Sequence, residues 1–243
     1  NCIATANPGQ GEECAGDIDG DGVPNAEDSC PYILNPDQAI TPCVSRFETL
    51  TFARDAYAVT TAGPGVHAGT NGGLLQIDDA PDSADYTVLT NAHGLPSNRV
   101  RGIAVDAAGA RWLATDAGVA VLRPDGMAIS MRPTDVGGGP QGALHDLVVD
   151  SAGVLWVSSD AGVNRLDGTG WTRVTAGLPS LDARGMYADD LDRIWVATAL
   201  GVVRITAGNA EPAIAGLPAV GAFNDVVPAP NGMWLLADEG AVL

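Results

Sequence analysis

The densest chemistry in the chain lies near its start, in the run Asp17-Ile-Asp19-Gly-Asp21-Gly22-Val23-Pro24-Asn25-Ala-Glu27-Asp28. Carboxylates stand at positions 1, 3, 5 and 12 of this twelve-residue loop, an amide at 9 and glycine at 6. Calcium takes six to eight oxygen ligands at flexible distances, and this spacing curls successive side chains around one point. The expected side-chain ligands are Asp17, Asp19, Asp21, Asn25 and Asp28. The carbonyl of Val23 supplies the position-7 oxygen, and Gly22 permits the sharp turn. Four carboxylates this close repel one another unless a cation sits between them. The loop is therefore expected to bind Ca2+ rather than to be a solvated acidic linker.

Residues 1–43 also carry Glu12, Glu13 and Asp37, with no basic side chain and no apolar periodicity from which to build a core. All four cysteines, Cys2, Cys14, Cys30 and Cys43, fall in the same stretch. Such crowding points to disulfides in an oxidising compartment. Three pairings are open. Cys2–Cys14 with Cys30–Cys43 is the favoured one, because it leaves the acidic loop unconstrained, and each closed loop contributes about 3 kcal/mol. A four-cysteine zinc site is the sharper alternative, and the lack of a C-x-x-C pair argues against it.

The loop is not an EF-hand: its flanks, Gly11-Glu-Glu-Cys14 and Ser29-Cys30-Pro31, are not helical, and position 12 is Asp rather than Glu. It runs on into Cys30-Pro31-Tyr-Ile-Leu-Asn35-Pro36-Asp37-Gln38. From Asp17 to Gln38 the sequence resembles a thrombospondin type 3 repeat: an Asp-rich loop, then Cys-Pro, then Asn-Pro-x-Gln. The resemblance implies a calcium-ordered, disulfide-linked, extracellular segment. This copy has Asn25 where that family usually has Asp, and it is single rather than tandem.

The elements downstream announce themselves by repetition. Trp112, Trp156, Trp195 and Trp234 are 44, 39 and 39 residues apart. Pro96, Pro140, Pro179 and Pro218 each stand 16 residues before a Trp, and Gly118, Gly162, Gly201 and Gly240 six after. Each unit reads as four short strands; in the second these are Val100–Asp106, Ala110–Thr115, Val119–Arg123 and Ala128–Met131. A divergent first unit puts His67 at the Trp position and Gly73 six residues on. Five units of about 40 residues are the period of propeller blades.

The second unit, Gly94-Leu95-Pro96-Ser97-Asn98-Arg99-Val100 through Trp112-Leu113-Ala114-Thr115 to Gly118, resembles the two-component-regulator propeller repeat. That family forms extracytoplasmic sensor or binding propellers in bacteria. The last unit stops one strand short, and Phe47–Phe52 is an orphan strand. Placed as the outer strand of the last blade, it closes a five-bladed ring from both termini and protects sheet edges. The expectation is thus an all-β chain: a small calcium-binding segment, 1–43, and a β-propeller, 44–243. The rival is a fragment of a six- to eight-bladed ring.

No H-E-x-x-H, G-x-S-x-G, P-loop or C-x-x-C signature occurs. The tryptophans read as blade packing, and Asp116, Asp160 and Asp238 as turn residues. Near the start of the innermost strand of successive blades stand Asp55, Arg101, His145, Arg184 and Asn224. The middle three lie 11 residues before their Trp, while Asp55 and Asn224 are one residue out of phase. These five form a candidate polar ring at the channel mouth, able to hydrogen-bond an anion or a sugar, and His93 could join the same face. The plainer reading is solvent-facing strand ends.

Thirty acidic residues face twelve basic ones, a net charge of −18, and every basic residue is Arg. Such a surface repels duplex nucleic acid and anionic membranes. No stretch is long and apolar enough for a transmembrane helix, and no leader pattern opens the sequence, which fits one already removed. The expected function is a secreted, cell-surface or, in bacteria, periplasmic non-enzymatic module that binds a glycan or protein. The alternatives are a structural subunit of an extracellular assembly, and a glycan-acting hydrolase or lyase at the channel mouth.

Overall fold

In the computed structural model the chain divides into two compact units, Asn1–Thr49 and Leu50–Leu243. The structure describes residues 22–24, 27, 36, 55–61, 65–78, 86–124, 128–132, 139–168, 170–212, 214–217, 221–230 and 232–242. The four cysteines, the side-chain donors of the acidic loop and the Phe47–Phe52 segment lie outside these residues.

The second unit is all-β, with no α-helix among the described residues. Blade 1 is β1 (Ala56–Thr61), β2 (Gly65–Thr70), β3 (Gly73–Asp78) and β4 (Tyr86–Leu89). Blade 2 is β5 (Val100–Val105), β6 (Arg111–Thr115), β7 (Gly118–Leu122) and β8 (Ala128–Met131). Blade 3 is β9 (Leu144–Val149), β10 (Leu155–Ser159), β11 (Gly162–Asp167) and β12 (Gly170–Val174). Blade 4 is β13 (Ala183–Ala188), β14 (Ile194–Thr198), β15 (Gly201–Thr206) and β16 (Asn209–Ala210). Blade 5 is β17 (Phe223–Ala229), β18 (Gly232–Ala237) and β19 (Gly240–Val242). Each sheet is an antiparallel meander in chain order, so the five-bladed propeller expected from the repeats is the fold. The first strands of successive blades pack side by side around the axis.

The phased residues mark structural joints. Each Gly that follows its Trp by six begins the third strand at positive φ, +134° at Gly118 and +153° at Gly201, where a side chain is strained. The tryptophans are held from the preceding turn. Asp106, Asp150 and Asp189 each accept the indole N–H of Trp112, Trp156 and Trp195 at 2.9 Å. Each also accepts backbone N–H groups two and four residues on, which shapes the turn between first and second strands. Arg165 lies over Trp156, and Arg193 and Arg204 over Trp195. Pro228 takes the Asp position in blade 5, and there Trp234 is 40% exposed against 3% for Trp156.

Hydrophobic burial occurs between blades. Leu74 of blade 1 packs with Val100, Leu113 and Leu122 of blade 2. Ala114 and Val119 meet Leu144, Leu147 and Val157; Trp156 and Val163 meet Met186, Ile194 and Ile205; Ala197 and Val202 meet Phe223, Val226 and Leu235. The outer flanks of the series differ. On blade 1, Val59, Ile77 and Tyr86 are exposed, although Leu122, in the register of Ile77, is buried. On blade 5, Leu236 is exposed where Ala197 of blade 4 is buried.

Burial works against ionisation of Asp189, yet the indole of Trp195 and the N–H groups of Arg193 and Leu191 hold its carboxyl below the usual range. Asp189→Ala leaves those donors unpaired. It is expected to cost about 2–4 kcal/mol in urea unfolding with an unchanged m-value.

Candidate functional site

Every innermost strand breaks its pairing register at the same place. Between Ala56 and Ala58, Val100 and Gly102, Leu144 and Leu147, Ala183 and Met186, and Phe223 and Asp225, the inner strand carries one residue more than its partner. A β-bulge of this kind re-aims the extra side chain. All five bulges converge on one cavity of about 450 Å³, lined by Tyr57, Arg101, His145, Asp146, Arg184, Gly185, Asn224 and Asp225.

Four of the five ring residues read from the sequence, Arg101, His145, Arg184 and Asn224, thus line this mouth together. Asp55 does not. It stands just before β1, where its Oδ2 accepts from Asn71 Nδ2 at 3.0 Å and its carbonyl accepts the Asn71 N–H. Tyr57 takes the bulge position in blade 1, 42% exposed, with the Arg101 guanidinium 5.7 Å from its ring centre. His93 is occupied locally, its Nδ1 accepting the Thr90 N–H at 3.1 Å.

The next position inward reads Ala58, Gly102, Asp146, Gly185, Asp225, which places acids on alternate small residues. The glycines are there because the neighbouring strand leaves no room. A Cβ on Gly102 would come within 2.9 Å of Asp146 Oδ1, and one on Gly185 within 2.1 Å of Asp225 Oδ1. Asp146 accepts N–H groups from Leu147 at 2.8 Å and, across the blade boundary, from Met186 at 2.9 Å. Asp225 accepts from Val226 at 2.7 Å. Burial pushes Asp146 up to about 7 against those N–H groups, and the nearby Asp225 charge adds to the rise. Burial also raises Asp225, opposed by the Val226 N–H.

Above this floor the basic groups are taken up by acids. Asp116 receives Arg101 Nε at 2.7 Å and Arg99 at 3.3 Å. Asp182 receives the Arg184 fork at 3.0 and 3.2 Å, and Arg184 also donates to Asn224. Asp238 accepts from Asn224 at 2.8 Å, and Asp160 takes the Ala143 N–H at 2.8 Å. The turn acids therefore tie each turn to the start of the innermost strand. His145 Nε2 lies 3.7 Å from Asp182 Oδ1 and is buried without a hydrogen-bond partner. Burial lowers its pKa despite Asp182, so the imidazole is neutral at pH 7.

Neither floor acid figured in the sequence reading, although each directly follows a ring residue, in His145-Asp146 and Asn224-Asp225. In the first unit, Gly22 has φ +92°, the left-handed turn required at position 6 of the acidic loop, and Glu27 N–H donates to the Pro24 carbonyl at 2.8 Å. Among the described residues no group of three or more His, Cys, Asp or Glu side chains is placed to hold a metal ion.

Residues 5–38 match the family model of the thrombospondin type 3 repeat. Over 46 residues the chain is 48% identical to cartilage oligomeric matrix protein of Mus musculus, covering 16% of this chain and 6% of that protein, and so spans only a small part of its length. In fold, the chain is similar to the extracellular domain assigned to a hybrid two component system of B. thetaiotaomicron. There the TM-score is 0.64 at 20% identity, over 77% of this chain and 27% of that one. It is similar also to virginiamycin B lyase from Staphylococcus aureus, solved in a catalytically inactive form with quinupristin. That match has a TM-score of 0.60 at 15% identity, over 74% of this chain and 62% of the lyase.

A carboxyl whose folded pKa lies above its unfolded value holds a proton that the unfolded chain has released. Stability therefore falls as pH rises from about 4 to about 7, by on the order of 3 kcal/mol for Asp146, and levels off above. Urea midpoints measured across that window should show the decline. Asp146→Asn should flatten it.

Proposed function

We propose that this chain is an extracellular binding module: a propeller that recognises a glycan or a protein through its channel mouth, behind a calcium-stiffened N-terminal segment. The observation that carries the reading is the convergence of five bulged strands on one polar cavity. A bulge repeated in every blade at the same register aims side chains, and sheet pairing alone does not require it. The cavity volume falls in the range of small-ligand sites. Thrombospondin type 3 chemistry supports placement outside the cell, at the surface or in the periplasm, with disulfides among Cys2, Cys14, Cys30 and Cys43. Calcium is held by Asp17, Asp19, Asp21, Asn25, Asp28 and the Val23 carbonyl, and the left-handed Gly22 fits that loop.

A second reading, a glycan-acting hydrolase or lyase, gains support from Asp146 and Asp225. Two carboxyls share one cavity, and one of them is raised to about 7, where it can act as a proton donor. The site then turns over a ligand that the first reading only holds.

A glycan array and pull-downs test the channel mouth. Arg101→Ala and Arg184→Ala are each expected to weaken capture roughly tenfold, as loss of a charged hydrogen-bonding group does. Capture unchanged by both substitutions removes the mouth from consideration. Mass spectrometry of the recovered ligand separates the two readings, since shortened products indicate the enzyme. For the metal, chelation should raise hydrogen exchange across residues 15–40 and leave the propeller strands protected. Unaltered exchange there overturns the calcium assignment.

A further inference from the structure

Acids outnumber bases at the channel mouth. Arg101 gives its Nε to Asp116, the Arg184 fork is engaged by Asp182 and Asn224, and Arg99 shares Asp116. The His145 imidazole carries no charge at neutral pH. Also lining the cavity is the pair Asp146 and Asp225, met among the described residues only by backbone N–H groups. A carboxyl keeps acceptor capacity beyond these bonds whether ionised or protonated, so each can take a further donor. Seven aspartates (Asp55, Asp116, Asp146, Asp160, Asp182, Asp225 and Asp238) stand on or beside the innermost strands and the adjoining turns, against Arg99, Arg101 and Arg184. An anion brought here meets repulsion that a partly buried site screens poorly. Tyr57 adds a half-exposed aromatic ring at the rim.

An apolar ring face beside acceptors that need donors is the surface that a sugar ring complements, with its C–H face against the aromatic group and its hydroxyl edge toward the carboxylates. The geometry points to a carbohydrate without acidic groups as the guest, its ring against Tyr57 and its hydroxyl or ammonium donors on Asp146 and Asp225, with uronates and sulfated sugars excluded. This rests on the channel mouth being the binding face. It reverses the sign expected from Arg101 and Arg184 alone, whose charges are spent on the protein's own acids. The cavity, about 450 Å³, suits one or two sugar rings better than an extended peptide.

The test uses the full chain, isotope-labelled for NMR, titrated separately with acetylated chitotriose, the glucosamine trimer, trigalacturonate and N-acetyl-lysine methylamide. The first two are expected to shift the amide resonances of Leu147, Met186 and Val226, and trigalacturonate to leave them in place. Asp225→Asn should weaken the neutral trimer roughly tenfold and lessen the exclusion of trigalacturonate. Tyr57→Ala should weaken both accepted sugars while leaving the carboxylates intact, and so guards against misfolding of the Asp225 variant. Trigalacturonate binding as tightly as chitotriose overturns the proposal, and so does a response to the capped lysine alone. If Arg101→Ala abolishes capture of a protein in the pull-downs while no soluble sugar shifts these amides, the mouth stands as the binding face and the carbohydrate assignment falls. Shifts confined to residues remote from the mouth overturn both.

Discussion

No blade of this protein can bury its own hydrophobic residues. A sheet of four short strands has two faces and no interior, so its apolar side chains leave water only against a neighbour. The four clusters that bury Leu74 with Val100, Ala114 with Leu144, Trp156 with Ile194 and Ala197 with Phe223 are each shared by two blades. Everything else follows from that stacking. It brings first strands side by side at the axis, and it sets Asp146 against Gly102 and Asp225 against Gly185. It also removes water from one side of two carboxyls, which is why both hold their protons above the usual range.

The acids of the mouth show how one repeat supports different local solutions. Blades 2, 3 and 5 place the acid in the turn after the second strand, at Asp116, Asp160 and Asp238. Blade 4 has Ala199 there and supplies Asp182 from the residue before its innermost strand; blade 1 has Asn71 in the turn and Asp55 before the strand. In blades 1, 2, 3 and 5 a carboxylate thus links turn to strand, whichever side supplies it, and in blade 4 the backbone carbonyl of Asp182 accepts the Ala199 N–H of the turn. Arg101 and Arg184 are oriented by this arrangement, so a substitution at Asp116 or Asp182 acts on the mouth through a basic side chain rather than directly.

Much of this was legible because the markers are backbone-determined. A glycine at φ near +135° cannot drift without straining the turn, and its phase with Trp fixed the strand boundaries of blade 2 to within a residue of those observed. The ring at Arg101, His145 and Arg184 followed from the same phase. Blade 1 is legible from His67 and Gly73, but the sequence puts its ring position at Asp55, which belongs to the turn tie, while Tyr57 holds the bulge. Asp146 and Asp225 escaped for a different reason: acids occur at that register in only two of five repeats, and the intervening glycines look like weak strand positions rather than clearance for a neighbour's carboxylate. The Asp–Trp hydrogen bonds were readable, since Asp106, Asp150 and Asp189 all precede their Trp by six.

The exposed flanks of blades 1 and 5 have a geometric consequence. Every blade–blade contact in the series joins two unlike surfaces, the Trp-bearing back of one blade and the front of the next. Val59, Ile77 and Tyr86 are an unmatched front, and Trp234 and Leu236 an unmatched back. Such surfaces are not self-complementary, so a two-fold axis through either flank would set like against like. A flank of this kind accepts only the opposite kind of surface, as front and back do throughout the series. The polarity of the stack, and not the area left bare, sets that rule.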